Sequence, residues 1–189
     1  MSVRLSSLTD LKSELRIPAA ETAYDTILAS KLEATGADCE AFCQRTFTYA
    51  SYSSEKHHGG CSTVVIKNPP IDSGASFVLI DYESASALQT TISSLDYYVD
   101  CDSGVITLLA GGRFSDGPNA AQVTYVGGYA STGTGDTQKI LVPDDLAASV
   151  KELAAARFRK QQGAISAADL EAEEKRARAV WGHYKLHGM

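Results

Sequence analysis

Positive charge is scarce in the middle of this chain. Between Thr46 and Gln138 only Lys56, Lys67 and Arg113 stand against nine acidic side chains. A surface of that kind cannot wrap a nucleic acid by releasing counterions, which takes clustered lysine and arginine. No run of eighteen apolar residues occurs anywhere, so a membrane-spanning helix is not expected, nor a membrane partner. The opening residues, MSVRLSSLTDLKSEL, lack the apolar core of a secretory signal, which predicts a chain kept in a cytoplasm. The four cysteines, Cys39, Cys43, Cys61 and Cys101, are then expected as reduced thiols. A nucleophile elbow of the form Gly-x-Ser-x-Gly is missing too, and no cofactor signature replaces it. What remains, over 189 residues, is enough for one domain with a sizeable core and a small subdomain.

The apolar spacing changes twice along the chain. Ser7-Leu8-Thr9-Asp10 has the form of a capping box, with Leu8, Leu11 and Leu15 on one face and Pro18 as a stop. A second helix is predicted from about Thr22 to Gln44, because Tyr24, Leu28, Leu32, Thr35, Cys39 and Phe42 recur every three or four residues. From Phe47 the period becomes two. TFTYASYSSEK, TVVIKN, SFVLID, DYYVDC, GVITLL and AAQVTYVGG read as strands, with Asp102-Ser103-Gly104 turning one into the next. Two helices close the chain. The first follows Pro143-Asp144-Asp145 and carries Leu146, Val150, Leu153 and Arg157 on one face; the second follows a capping box at Ser166–Asp169. The expected fold class is therefore α+β: a helical bundle of two N-terminal and two C-terminal helices with an inserted antiparallel β subdomain. The expected parts are residues 1–46, 47–130 and 131–189.

Few stretches offer chemistry. In VGGYASTGTGDTQK, Gly128 and Gly133 have the spacing of a phosphate-binding loop, but Thr134 stands where the lysine belongs. That predicts a flexible connector between the β region and the helices. Cys39 and Cys43 lie four apart, with His57, His58 and Cys61 not far along the chain. The ligand types suit zinc, but the spacing does not, and Cys39 falls on the apolar stripe. Asp100-Cys101-Asp102-Ser103-Gly104 begins like a calcium loop without its later acids, and a strand-joining turn fits better. At the C-terminal end, Trp181, Tyr184 and Leu186 follow a charged helix. They either pack on the protein's own core or anchor a partner.

Four stretches in order, LTDLKSELRI, LEATGADCEAFCQRTF, DYYVDCDSGVITL with VTYVGGY, and VPDDLAASVKELAAARF, resemble the head–tail connector (adaptor, or head-completion) proteins of long-tailed phages and gene transfer agents. The likeness runs from Leu8 to Phe158, with residues 47–129 as an elaborated β segment. It implies a non-enzymatic virion component, assembled in the host cytoplasm and sited in the neck. Copies of the chain would form a twelve-fold ring under the portal, extending the DNA channel and offering a platform for the next neck or tail protein. It implies portal contact by a C-terminal segment, here Trp181, Tyr184, Lys185 and Leu186, and no cofactor. DNA would pass without sequence-specific binding, and an acidic lining, with Asp96, Asp100 and Asp102 as candidates, would let it slide. The alternatives are another neck or tail-completion protein and a small zinc-binding domain.

Overall fold

The computed structural model describes residues 4–83 and 88–185. Two compact units divide it: one holds both ends of the chain, through Thr48 and again from Tyr129, and the other holds Tyr49–Gly128.

The first unit is a bundle of four helices. Helix α1 is Leu8–Glu14, α2 is Asp25–Cys43, α3 is Asp144–Gln161 and α4 is Ala167–Trp181. Their ends follow local side-chain chemistry. Ser7 Oγ accepts the Asp10 N–H at 3.0 Å to start α1, and Ser166 with Asp169 forms a reciprocal capping box at the start of α4. Helix α3 packs on each of the other three. Its apolar residues divide between two clusters. Leu146, Val150 and Leu153 meet Cys39, Cys43, Phe47, Ala177 and Trp181, while Ala154, Ala155 and Phe158 meet Leu8, Leu11, Leu28 and Leu32. Arg157 ties the helices at their rim, donating to Thr35 Oγ1 at 3.1 Å and Asp38 Oδ2 at 2.7 Å on α2 and to Glu174 Oε1 at 3.4 Å on α4. Lys12 is buried with its ammonium 2.5 Å from Asp25 Oδ1, so its charge is paired as burial requires.

The second unit is wholly antiparallel. Strands β1 (Ala50–His57), β2 (Thr63–Val65), β3 (Val78–Glu83), β4 (Leu88–Thr91), β5 (Tyr97–Asp100), β6 (Val105–Leu108) and β7 (Ala121–Gly127) form two sheets, ordered β1-β7-β3-β4 and β2-β6-β5. Strand β7 alternates buried and half-buried residues along its length, as a central strand with one core face should. Val64, Ile106 and Leu108 from one sheet share a core with Leu79, Val123 and Tyr125 from the other. Gly127 is required where β7 passes the Asn68-Pro69-Pro70 segment, because a Cβ there would stand 2.5 Å from the Asn68 carbonyl oxygen. Gly104 closes the β5–β6 turn at φ 72°, a conformation that favours glycine.

The Gly/Ser/Thr loop expected as a flexible connector is instead a built hairpin. Strand β8 (Ser131–Thr132) pairs with β9 (Lys139–Ile140) around a short 3-10 turn, Gly135–Thr137, capped by Thr134. The Ile140 N–H donates to the Arg4 carbonyl at 2.8 Å, and Lys139 lies 3.4 Å from Asp10. Backbone pairing and these braces on the N-terminal segment hold it where composition alone reads as loose. No helix among the described residues is long and apolar enough to cross a membrane.

Candidate docking site at the end of the bundle

Residues 181–185 fold back onto the bundle. Trp181 is 2% exposed. Its Nε1 donates to Ser149 Oγ at 3.0 Å, and Ser149 in turn donates to the Leu146 carbonyl at 2.8 Å. Phe42 meets the indole edge-on at a centroid distance of 5.9 Å, and the Cys43 thiol donates to the Trp181 carbonyl at 3.4 Å. Truncating an aromatic so enclosed costs about 3–5 kcal/mol, more than a peripheral docking contact returns, so the indole belongs to this chain's own core. Of the two alternatives open for Trp181 in the sequence, the structure places it in the first.

The next turn, Gly182–Tyr184, is a 3-10 turn that presents the remaining groups. Tyr184 is half-buried and donates its hydroxyl to Asp145 Oδ1 at 2.5 Å, beside the start of α3. Burial, then that hydrogen bond to the carboxylate, pushes its phenol above the ordinary tyrosine range. Lys185 is exposed, with its ammonium 5.5 Å above the Phe42 ring, a contact worth about 0.5–1 kcal/mol at the surface. Leu186 lies outside the described residues. The patch thus offers a phenol, a cation and an aromatic face on a rigid base.

The three candidate channel acids sit at the two ends of β5: Asp96 just before its start, Asp100 at its last residue and Asp102 in the turn that follows. Asp96 and Asp102 are exposed and Asp100 is half-buried. Asp100 is committed locally: its Oδ1 accepts the N–H groups of Asp102 at 3.2 Å and Ser103 at 3.4 Å, and its Oδ2 accepts the Ser103 hydroxyl at 2.7 Å. The Ser103 hydroxyl first, then those backbone donors, hold its carboxyl below the usual carboxylate range. This is a side-chain-capped turn, in keeping with the strand-joining reading.

Cys39 and Cys43 line the bundle core, while His57, His58 and Cys61 belong to the β unit. A hydrogen bond with Cys43 and then burial push the Cys39 thiol up, which disfavours the thiolate that metals and electrophiles need. His57 is buried with Nε2 3.0 Å from Glu55 Oε1, His58 Nδ1 lies 2.9 Å from the Gly59 carbonyl, and the Cys61 thiol donates to the Thr63 carbonyl at 3.1 Å. Among the described residues no three His, Cys, Asp or Glu side chains are grouped to hold a metal ion.

His57 belongs to a buried polar network that the sequence did not reveal. Glu55 Oε2 accepts the Tyr125 hydroxyl at 2.7 Å, and Oε1 accepts the Lys67 N–H at 2.9 Å. The Tyr125 oxygen accepts the Asn68 N–H at 3.2 Å. These bonds pin β1 to β7 and to the segment leaving β2. Burial alone would raise the Glu55 carboxyl, but its bonds to His57, Tyr125 and Lys67 outweigh that and leave it lowered. The Glu55 and Tyr125 oxygens are thereby taken up by their neighbours, an arrangement that rigidifies a core.

No protein-family profile matches the chain, and no curated protein is significantly similar to it. A solved structure does share its fold. A chain from the neck of an empty GTA particle, computed with C6 symmetry, is 15% identical, with 96% of this chain and 90% of that chain covered at a TM-score of 0.51. A chain from the virion of a native gene transfer agent (GTA) particle is 16% identical over 96% and 90% of the two chains, with a TM-score of 0.49. A chain from the neck of a native GTA particle computed with C12 symmetry is 16% identical over 100% and 96%, with a TM-score of 0.47. At 15% identity the first of these likenesses is one of fold alone.

Proposed function

We propose that this chain is a structural head–tail adaptor of a phage or phage-like particle. Copies form a ring under the portal, extend the DNA channel and present a platform to the next neck or tail protein. The observation that carries this reading is the fold shared, over nearly the whole chain, with a chain from the neck of an empty GTA particle. The four ordered sequence stretches support the same assignment. The C6 symmetry with which that neck was computed favours a cyclic arrangement, and the family resemblance makes it twelve-fold. A closed ring needs heterologous interfaces that meet end to end. In this reading the chain is not an enzyme and uses no cofactor.

Portal contact falls to the C-terminal patch. Trp181 fixes the end of α4, and Tyr184, Lys185 and Leu186 are the groups offered beyond it. The double variant Tyr184→Ala, Lys185→Glu should keep the bundle, because the Trp181 core is untouched, and lose at least about ten-fold in portal affinity, about 1.4 kcal/mol. Undiminished portal binding by a folded double variant would remove the patch from the contact. A second reading, another neck or tail-completion protein with the same bundle, predicts binding to tail proteins and none to the portal.

A further inference from the structure

One edge strand of the β unit carries neither bulge nor charge among its described residues. Strand β4 ends its sheet, and all four of its residues are exposed. From Ser84 to Leu95 the chain has no charged residue, although the middle of the sequence is otherwise acidic. The opposite edge strand, β1, is different: it bulges between Tyr52 and Glu55, has Ser54 at φ 52°, and carries Glu55 and Lys56. Bulges and charges are how proteins protect an edge from pairing with another chain. Strand β4 has neither.

Its outward groups follow from the ladder. The Ile92 N–H donates to the Leu79 carbonyl at 2.9 Å, and the Tyr82 N–H turns the other way, to the Ala120 carbonyl at 2.7 Å. With Asp81 opposite Thr90 and Tyr82 opposite Gln89, antiparallel alternation turns the backbone groups of Gln89 and Thr91 away from β3. We infer that this edge pairs with the same edge of a second copy of the chain, β4 against β4, antiparallel about Thr90. In that register Gln89 and Thr91 of one copy exchange both backbone hydrogen bonds with Thr91 and Gln89 of the other. The exposed Leu88 comes opposite Ile92 of the other copy, whose own position borders the β core. The charge pattern selects this occupant: two acidic units repel wherever their carboxylates meet, and the seam is the stretch that carries none.

This pairing goes beyond the adaptor reading and does not depend on it. A two-fold seam cannot repeat around a cyclic ring, so it describes a dimer of the free chain. A seam this short holds weakly, and a covalent trap suits it. Thr90 would face Thr90 of the other copy as a non-hydrogen-bonded pair, with Cα atoms about 4.5 Å apart, within disulfide reach. The experiment is oxidation of full-length Thr90→Cys, with wild type and the exposed-site variant Ser131→Cys as controls, followed on non-reducing gels. The expected result is a covalent dimer forming at least about ten-fold faster than in either control, as that geometry allows. Adding Thr91→Pro, which removes one outward N–H and leaves the β3 ladder intact, should return the rate to the control level. Crosslinking no faster than the controls, or indifferent to Thr91→Pro in a variant whose circular dichroism is unchanged, would overturn the pairing. So would a Thr91→Pro defect confined to binding a neck partner, which would put another protein's strand on this edge.

Discussion

Glu55 shows how one side chain can organise a unit. Its carboxylate collects a phenol, a backbone N–H and the His57 ring while nearly buried. Its folded pKa lies below the ordinary glutamate value of about 4.3. A depressed carboxyl stabilises the fold above the unfolded pKa and loses that contribution as pH falls through the folded value. Glu55→Gln should therefore destabilise the protein by about 1–3 kcal/mol near neutral pH. The gap from wild type should begin to narrow below about pH 4, where the unfolded carboxyl protonates while the folded one still holds its charge, and narrow further as pH falls toward the folded value. Denaturant melts at pH 7 and pH 3.5 measure it, and a gap that stayed constant would deny the carboxylate its role. Cys39 makes the complementary point. Its place on an apolar helical stripe outweighed its value as a ligand type, and the side chain is in the core.

At the scale of elements, strand β5 and its flanks separate structural acids from available ones. Asp100 holds the β5–β6 turn together, whereas Asp96 and Asp102 face solvent. If these acids line the channel, Asp96→Lys with Asp102→Lys should slow DNA ejection from assembled particles, since a cation in the path binds phosphate. Unchanged ejection kinetics in particles that assemble normally would place both positions away from DNA. Legibility differed between elements for physical reasons. The helices were readable because caps such as Ser166 and the stripe of Leu28, Leu32, Thr35 and Cys39 act over three or four residues. Strand β7 was readable by its alternation. Strand β4 was not, because Leu-Gln-Thr-Thr at a fully exposed edge has no buried face to pattern. The β8–β9 hairpin was hidden for another reason: main-chain pairing and a bond to Arg4 hold it, and side-chain composition records neither.

At the scale of the whole molecule, the chain leaves its bundle once and returns to it. Thr48 bridges Tyr129, and the Tyr129 N–H donates to the Phe47 carbonyl at 2.8 Å. The segments by which the chain leaves and re-enters its bundle therefore lie side by side within it. The α+β class with an antiparallel insertion was legible, because the hydrophobic period switches from 3.6 to 2 and back. The network joining Glu55 to Tyr125 was not, since its partners are 70 residues apart and no local pattern links them. A fold shared with a GTA neck chain at 15% identity leaves the assembly as the central claim. The most direct measurement is mass photometry of the purified chain mixed with its portal. The adaptor account predicts a discrete complex whose added mass equals one ring of twelve copies. A portal whose mass is unchanged at saturating concentrations of the chain would contradict it.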